Sequence, residues 1–256
     1  MIELDTIYNE DCLEGMKRIP DGSVDMVCCD LPYEVLNKDN PHAQWDRIIP
    51  FEPLWEQYKR VTKPNAAIVL FCQGMFTAQL MMSQPKLWRY NLVWDKTRAV
   101  GFLNARRMPL RSHEDICVFY QQPPTYNPQM TKGTPNHSRG RLEGEQTNRC
   151  YGKVNKPTDI FTEYKFPKSI IGIPNLIEGN FHPTQKPVNL IRYLIRTYSD
   201  KGGIILDNCM GSGTTAIACM KEKRHYIGFE LNEEYYRKSL ERIEKERMQL
   251  TLDFDP

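Results

Sequence analysis

The sequence predicts an α/β fold with a mostly parallel sheet, and three observations lead to that prediction. Short apolar runs, typical of strands covered on both faces, alternate with segments of helical periodicity. An acidic turn, Asp30 to Tyr33, directly follows one such strand near the N-terminus. A glycine-rich turn, Asp207 to Thr215, joins a strand to a helix near the C-terminus, where α/β proteins let a nucleotide-like ligand approach the backbone.

The alternation runs through most of the chain. Apolar residues recur at helical spacing from Phe51 and again after Pro187, where a proline suits the first turn of a helix. The predicted elements are, in order, a strand at 24–29, a helix at 51–61, a strand at 66–71, a helix at 74–83, strands at 90–94 and 115–120, a helix from 187, a strand at 203–207, a helix from 214, a strand at 226–230 and a helix at 233–247. Because strand and helix alternate, an α/β domain is favoured.

Residues 121–181 differ from the rest of the chain in composition and pattern. Pro, Asn, Gly, Thr, Lys and Arg dominate, and neither helical nor strand periodicity is sustained. A structureless stretch of this length would be unusual inside a compact domain. We therefore expect an insert, either a small recognition subdomain or a loop that orders on a ligand. The predicted organisation is a catalytic half at 1–120, the insert at 121–181 and a cofactor-binding half at 182–256.

Composition excludes few functions. The formal net charge is only +2, so a nucleic-acid surface would require local clustering of cations. The eight cysteines include the adjacent pair Cys28 and Cys29 but no Cys-x-x-Cys pair, which favours reduced, buried thiols over a disulfide framework or a zinc site. The N-terminus lacks the pattern of a signal peptide, and no apolar run approaches membrane-spanning length. We expect a cytoplasmic protein that binds no metal.

The glycine-rich turn allows close approach of a ligand to the backbone, and the helix start after it presents free amides. No Lys follows the second glycine, so the phosphate- and magnesium-binding pattern of ATPases is absent. Asp207 would repel a phosphate but attract an ammonium group, and Glu230 ends the next strand, where an acid accepts from ribose hydroxyls. S-adenosylmethionine has a ribose and an amino group without a phosphate. A turn needed only for packing is the alternative.

The segment from His182 to Pro187 precedes a predicted helix. Thr184, Lys186 and the amides of the helix start are suited to a carboxylate, which is the remaining charged group of that cofactor. A simple helix entry with two prolines explains the residues about equally well.

The acidic turn has features that suit an amino group. Pro32 fixes its own φ and biases Leu31 toward extended geometry, so the Asp30 carboxylate and the Leu31 carbonyl can face the two protons of one amine. Tyr33 could stack on the base that carries this amine. Two acceptors would stabilise the positive charge that develops as an exocyclic amine attacks a sulfonium methyl. An ordinary turn is the alternative.

Four segments, taken in order, resemble those of the beta-class DNA amino-methyltransferases. They are Asp-Leu-Pro-Tyr at 30–33, His-Pro-Thr-Gln-Lys-Pro at 182–187, Asp-x-x-Met-Gly-Ser-Gly-Thr-Thr at 207–215 and Ile-Gly-Phe-Glu at 227–230. Trp94-Asp-Lys96 and His113-Glu114 also look like that family, and the match spans nearly the whole chain. The resemblance implies a circularly permuted, Rossmann-like sheet of seven mostly parallel strands, S-adenosylmethionine as methyl donor, and a target base that is turned out of duplex DNA.

The resemblance also assigns roles to single residues. It makes Asp30, Leu31, Pro32 and Tyr33 the catalytic turn. It places Asp11 and Cys12 beside the cofactor adenine, although a helix entry there is about as good an interpretation. The cofactor site that these motifs imply consists of Asp11, Cys12, Asp30, His182, Thr184, Lys186, Asp207, Cys209, Met210, Gly211, Ser212, Gly213, Thr214 and Glu230.

Two positions depart from the family pattern. Leu31 replaces the usual Pro, but the group needed there is a backbone carbonyl, so we expect some loss of rigidity with the chemistry retained. Asn208 and Cys209 replace the usual Pro-Phe. The family's Phe would pack beside the methionine moiety or the adenosine of the cofactor, and the smaller Cys209 offers less of that contact.

A basic segment follows the catalytic half's third predicted strand, since no acid lies between Lys96 and His113. Clustered cations suit DNA phosphates, whereas a solvated loop is the usual alternative. The insert carries eight Lys or Arg against five Asp or Glu, a balance of +3, and is the candidate target-recognition region. The predicted DNA contacts are Lys96, Arg98, Arg106, Arg107, Arg111, Arg139 and Arg141.

These expectations describe a site-specific DNA adenine-N6 methyltransferase that acts on double-stranded DNA, alone or beside a restriction endonuclease. In this family an Asp at the first position of the catalytic turn is associated with adenine over cytosine. An N4-cytosine enzyme and a DNA-binding module with the same fold and little turnover stay open, as does methylation of RNA or of a protein glutamine. Family members are often dimers, so a homodimer is also an open expectation.

Overall fold

The computed structural model describes residues 2–34, 45–134, 147–148, 152–153, 163–175 and 184–252. The chain forms two compact units, one of Met1–Asn127 with Ser169–Pro256 and one of Pro128–Lys168. The strands are β1 (Thr6–Tyr8), β2 (Val24–Asp30), β3 (Thr62–Cys72), β4 (Trp88–Val100), β5 (Arg111–Phe119), β6 (Thr131–Lys132), β7 (Thr147–Asn148), β8 (Gly152–Lys153), β9 (Tyr164–Lys165), β10 (Ile170–Gly172), β11 (Ile204–Asp207) and β12 (His225–Phe229). The helices are α1 (Cys12–Met16), α2 (Phe51–Val61), α3 (Met75–Ser83), α4 (Val188–Tyr198), α5 (Thr214–Glu222) and α6 (Glu233–Leu252).

The first unit contains a sheet in which eight described strands lie in the order β1-β12-β11-β2-β3-β5-β4-β10. β5 is antiparallel to both of its neighbours, and every other neighbouring pair is parallel. The predicted α/β fold with a mostly parallel sheet is therefore confirmed. The described sheet has eight strands where the resemblance implied seven. The six strands predicted from periodicity are all present, and the other two, β1 and β10, are each only three residues long and too short to show a period.

Helices cover both faces of this sheet, as the alternation along β2 shows. Met26 and Cys28 belong to a core that also contains apolar residues of α4 and α5. Val27 and Cys29 belong to a second core with residues of α1, α2 and α3. Since successive side chains of a strand point to opposite faces, the two cores lie on opposite sides of the sheet. A strand covered on both faces reads as a continuous apolar run, which is the signal that predicted it.

The carboxyl ends of three neighbouring strands bring the predicted acids to one edge. β2, β11 and β12 are adjacent and parallel, so their carboxyl ends point the same way. Asp30 is the last residue of β2, Asp207 is the last of β11, and Glu230 follows β12 directly. In open α/β sheets this edge is where ligands bind.

The second unit contains two antiparallel ribbons, β6 with β9 and β7 with β8. Its limits are narrower than the insert expected at 121–181, because β10 pairs with β4 in the main sheet and residues up to Asn127 belong to the first unit. The three residues of β10 lie in a proline- and lysine-rich stretch, where no period marks them as a strand.

A buried hydrogen bond connects α2 to the loop after β11. The Tyr58 hydroxyl donates to Asn208 Oδ1 at 2.5 Å, and both side chains are almost fully buried. We expect Tyr58→Phe to lower the free energy of unfolding by about 1–3 kcal/mol, because the buried Asn208 carbonyl loses its donor. Urea denaturation would measure this. Tyr90→Phe is the matched control: it removes a hydroxyl 2.9 Å from that of Tyr198 and should cost less, because Tyr90 itself is only partly buried.

Candidate active site

A cavity of about 920 Å³ opens at the carboxyl edge of the sheet. Its wall includes most residues of the predicted catalytic turn and cofactor site, although these are far apart in sequence. Those among the described residues are Asp11, Cys12, Asp30, Leu31, Pro32, Tyr33, Thr184, Lys186, Asp207, Cys209, Met210, Gly211, Ser212, Thr214 and Glu230. The sheet therefore brings the two predicted halves of the site into one pocket.

A chain of buried charged groups leads to Asp30. Lys96 Nζ donates to Glu114 Oε1 at 2.5 Å, and Glu114 Oε2 lies 3.2 Å from Lys186 Nζ. Lys186 Nζ donates to Asp30 Oδ2 at 2.6 Å, and the Tyr33 hydroxyl donates to Asp30 Oδ1 at 2.5 Å. Two ammonium groups thus alternate with two carboxylates. The two positive and two negative charges of these four side chains cancel, which compensates the cost of burying them in the low-dielectric interior.

The pKa values of Asp30, Lys186 and Glu114 are set by their burial and by the charges of these four side chains. Burial raises the pKa of Asp30, and the attraction of Lys186 opposes that rise. Burial alone would lower the pKa of Lys186, but the attraction of Asp30 and Glu114 outweighs it and the pKa is raised. Burial would likewise raise the pKa of Glu114, yet Lys186 and Lys96 together lower it. Lys186 is therefore cationic and Glu114 anionic, while Asp30 is held between opposing effects.

The acidic turn at Asp30–Tyr33 is held by contacts that the sequence did not reveal. Asp46 Oδ1 accepts hydrogen bonds from the backbone amides of Tyr33 at 2.9 Å and Glu34 at 3.0 Å. Glu34 has a φ of +59°, an unusual value for a residue with a side chain. The Tyr33 ring packs against Phe76, with ring centroids 5.0 Å apart. Burial raises the pKa of Tyr33 well above its usual value, so its hydroxyl stays protonated and can donate to Asp30.

Glu230 fixes the glycine-rich turn from the neighbouring strand. Its two oxygens accept from the backbone amides of Gly211 at 2.7 Å and Asn232 at 2.8 Å. Gly211 and Gly213 have φ values of +52° and +75°, which glycine adopts without strain. Gly213 lies directly before α5 and is the one residue of the predicted turn that does not line the cavity.

Asp207 is buried behind the same turn. Its Oδ1 accepts from the Cys209 amide at 3.1 Å, and its Oδ2 accepts from the Thr215 hydroxyl at 2.5 Å. Burial raises the pKa of Asp207 to about 6, although both hydrogen bonds oppose the rise. An unpaired acid with this pKa is part protonated near pH 6, and a cation beside it would favour the ionised form.

Asp11 and Cys12 lie where α1 begins. Asp11 Oδ1 accepts from the amides of Leu13 at 2.8 Å and Glu14 at 3.3 Å, so the side chain caps the helix, as the helix-entry interpretation expected. Both residues also line the cavity. Asn208 Nδ2 lies 3.6 Å from Cys12 Sγ and 3.5 Å from Cys209 Sγ, so the two thiols are close to one amide.

Two lysines among the predicted contacts are buried and paired with acids. Lys96 is only 6% exposed and binds Glu114, so it is not part of an exposed basic surface that could meet DNA phosphates. Lys186, expected to hold a cofactor carboxylate, is 8% exposed and bonded to the protein's own acids. Lys96 is therefore a buried ion-pair partner and not a surface contact, because it is paired with an acid that is distant in sequence. Lys186 lines the cavity, and its role toward the cofactor stays a prediction.

The remaining predicted residues fall into two groups. Arg98, Arg106, Arg107 and Arg111 are exposed on β4, β5 and the loop that joins them. His182, Arg139 and Arg141 lie outside the described residues. The described cysteines are free thiols, and within the described ranges no group of His, Cys, Asp and Glu could hold a metal ion. No helix in the described part of the chain is both long and apolar enough to cross a membrane.

Comparisons with known proteins give a consistent result. A family model, N6_N4_Mtase, described as DNA methylase, matches residues 24–241. Type II methyltransferase M.HpaI of Haemophilus parainfluenzae is 27% identical over 245 residues, which cover 92% of this chain and 73% of that protein. Type II methyltransferase M1.MboII of Moraxella bovis is 24% identical, with 92% and 95% of the two chains covered.

Solved structures share the fold at low identity. The M1.HpyAVI–SAM complex has a TM-score of 0.62 and 22% identity, covering 93% of this chain and 98% of that chain. The PvuII DNA methyltransferase, described as cytosine-N4-specific, has a TM-score of 0.64 and 15% identity, covering 94% and 90%.

Proposed function

We propose, from the premise that the chain belongs to the N6_N4 DNA methylase family, that it methylates the exocyclic N6 amine of adenine at specific sites in DNA. S-adenosylmethionine is the methyl donor. The observation that carries the proposal is the position of the Asp30 carboxylate, in the wall of the same cavity as the glycine-rich turn and Glu230. One pocket can therefore hold the donor and the acceptor of the methyl group together.

The acids and turn of the C-terminal half suit the parts of S-adenosylmethionine. Glu230 lies at the end of β12, where an acid accepts from ribose hydroxyls, and its hydrogen bonds to the turn hold both in place. Asp207 supplies a carboxylate for the ammonium group. Lys186 would reach the cofactor carboxylate only by exchanging or sharing its contacts with Asp30 and Glu114.

The chemistry at Asp30 is activation of a weak nucleophile. A carboxylate has about four lone-pair sites, and Tyr33 and Lys186 use two of those on Asp30, so the others can accept from an amine N–H. An acceptor there favours pyramidal nitrogen and stabilises the positive charge that forms as nitrogen attacks the sulfonium methyl. The nitrogen lone pair would form the bond to the methyl carbon as the carbon–sulfur bond breaks and its electron pair stays with sulfur. The methylated nitrogen would then pass its extra proton to the Asp30 carboxylate.

The amine of a paired base cannot reach Asp30 within a duplex, so the target base must be turned out into the cavity. Stacking of that base on Tyr33 is proposed from the sequence pattern. Along the sequence, the second unit (Pro128–Lys168) lies between the catalytic motif at 30–33 and the cofactor motifs after 182. This permuted order of motifs fits a target-recognition role for the insert.

The choice of base is tested by the product. Host DNA from cells expressing the protein should yield N6-methyladenine on nucleoside mass spectrometry, and methylome sequencing should give the recognition sequence. N4-methylcytosine instead would retain the enzyme class and overturn the base assignment. That second outcome has support in the fold shared with the PvuII enzyme and in the ability of Asp30 to accept from either amine.

The pKa of Asp207 makes cofactor affinity depend on pH. Because the pKa of about 6 is above the usual value of 3.8, the stability contributed by this group is present below 3.8 and lost as pH rises through 6. Binding of an ammonium group has the opposite dependence, since it requires the ionised acid. We expect the affinity for S-adenosylmethionine, measured by calorimetry, to rise up to about tenfold per pH unit below 6 and then level off.

Asp207→Asn is the control for this pH dependence. It keeps an oxygen for the Thr215 hydroxyl but cannot ionise, so the rise through pH 6 should disappear and the affinity should stay low. A variant whose affinity follows the same pH curve as the parent would assign the titration to another group.

A further inference from the structure

The loop between β4 and β5 exposes apolar side chains in an unusual concentration. Five large apolar residues between 100 and 110 are exposed, and the two at the tip, Phe102 and Leu103, are 81% and 96% exposed. Single exposed apolar residues need no explanation, but a contiguous group marks an interaction surface. We define this segment, residues 97–113, as the tip ribbon.

The tip ribbon is an ordered projection. Val100 pairs with Arg111, so the antiparallel pairing of β4 and β5 continues to the base of the loop. The loop is closed by backbone hydrogen bonds, among them Asn104 N to Gly101 O at 2.9 Å and Ala105 N to Phe102 O at 3.0 Å. All residues of the tip ribbon are exposed. The projection thus consists of one strand pair at its base and a single-turn 3-10 helix, Phe102–Asn104, at its tip, and an element of this size can enter a groove of B-form DNA.

Charge identifies the partner. The tip ribbon carries Arg98, Arg106, Arg107 and Arg111 and no acid. A second copy of the same surface would bring two sets of these arginines together, which disfavours self-association. A DNA backbone would instead neutralise them. Val100 and Arg111, at the base of the loop, also line the cavity whose wall includes Asp30, so a duplex bound to the tip ribbon would lie at the cavity.

We infer that Phe102 and Leu103 form a wedge that enters the base stack and fills the gap left by the extruded base. This inference rests on the proposed function, because a wedge is useful only if a base leaves the duplex. Apolar side chains inserted at a base step compensate part of the cost of unstacking, which is about a few kcal/mol per step. The arginines hold the phosphates on either side, and they contribute affinity without sequence preference.

The test compares two duplexes that contain the recognition sequence read from the methylome. One is fully paired, and the other has an abasic site opposite the target base, which makes extrusion cheap. The variant Phe102→Ala/Leu103→Ala should lower kcat/KM on the paired duplex by about tenfold or more, and on the abasic duplex by less than about threefold. Its affinity for S-adenosylmethionine and its thermal unfolding should match the parent, since both side chains contact solvent.

Two controls separate the wedge from general effects. Met75→Ala/Met82→Ala removes two exposed apolar side chains from α3, each 74% exposed, and should leave kcat/KM unchanged on both duplexes. Arg106→Ala/Arg107→Ala should lower the affinity for both duplexes equally and make that affinity depend less steeply on salt concentration. If the Phe102→Ala/Leu103→Ala variant loses kcat/KM equally on both duplexes, or loses none, the wedge is wrong and the proposed function is unaffected. A parent protein that methylates no DNA overturns the proposed function and the wedge with it.

Discussion

Replacing Asp30 with Asn is expected to lower the rate of methyl transfer by about 100-fold or more, with S-adenosylmethionine still bound. The reason is electrostatic: the amine becomes positively charged as it attacks the methyl group, and the neutral amide stabilises that charge far less than a carboxylate. Asn retains the shape of Asp and an oxygen for the Tyr33 hydroxyl, but it leaves Lys96 and Lys186 with Glu114 alone. Some stability should therefore be lost, and the rates are compared at a temperature where the variant is fully folded. Single-turnover transfer of labelled methyl groups, with cofactor affinity measured separately by calorimetry, would check both parts.

The matched control lies on the same strand. Asp25, also in β2, binds Lys63 at 2.6 Å and accepts from the Ile204 amide at 2.9 Å, near the opposite end of the sheet. Asp25→Asn makes the same chemical change away from the cavity and should leave the single-turnover rate unchanged. If Asp30→Asn methylated DNA like the parent, the proposed mechanism would be wrong. A parent that binds DNA but never transfers a methyl group would point to a binding module with the same fold.

The second large effect is expected at Glu114. Glu114→Gln removes the carboxylate that separates Lys96 from Lys186 and leaves two buried ammonium groups with Asp30 alone. Breaking a buried pair in this way costs about 3–5 kcal/mol of stability, because one charge is left without compensation. The folded pKa of Glu114 is lowered, so its contribution is present above its usual value of 4.5 and is lost as pH falls through the folded pKa. Urea denaturation of parent and variant between pH 4 and pH 8 would measure both effects.

Charge balance can be restored in a second variant. Glu114→Gln/Lys96→Met leaves one ammonium, Lys186, opposite one carboxylate, Asp30, and should recover part of the lost stability. Glu234→Gln breaks an exposed pair with Lys238 on α6 and should have no measurable effect on unfolding. A double variant no more stable than Glu114→Gln alone would show that lost packing, and not unbalanced charge, causes the destabilisation.

Much of the site could be recognised without coordinates, because its parts are local. The turn after β2 and the turn after β11 are each short segments in which a strand end, a proline or a glycine constrains the backbone. Strand periodicity then places Asp30, Asp207 and Glu230 at carboxyl ends, and parallel pairing brings those ends to one edge. The specificity for adenine, the homodimer and an accompanying restriction endonuclease stay predictions, since each depends on a surface or partner that no local pattern describes.

Other features needed contacts between distant segments. Asp46 holds the acidic turn at Asp30–Tyr33 and lies 13 residues from Tyr33, and nothing in its sequence neighbourhood marks it. Lys96 is basic and lies in an acid-free segment, so it was expected at the surface with its neighbouring arginines. Glu114, paired with it across the β4–β5 ribbon, draws it inside instead. A charged side chain moves to the interior only when a partner compensates its desolvation, and that partner is not visible in a local window.

Local sequence was therefore enough to predict the α/β class and the two turns, because backbone constraints and hydrophobic periodicity act over a few residues. The order of the motifs carried the family resemblance, and that resemblance implied the cofactor. Folding alone decided which acid holds which lysine, that burial raises the pKa of Asp30, and that Phe102 and Leu103 are exposed at the end of the tip ribbon. These properties depend on burial and on electrostatic neighbours. Both are set by which strands lie side by side, and they are fixed only when the sheet has formed.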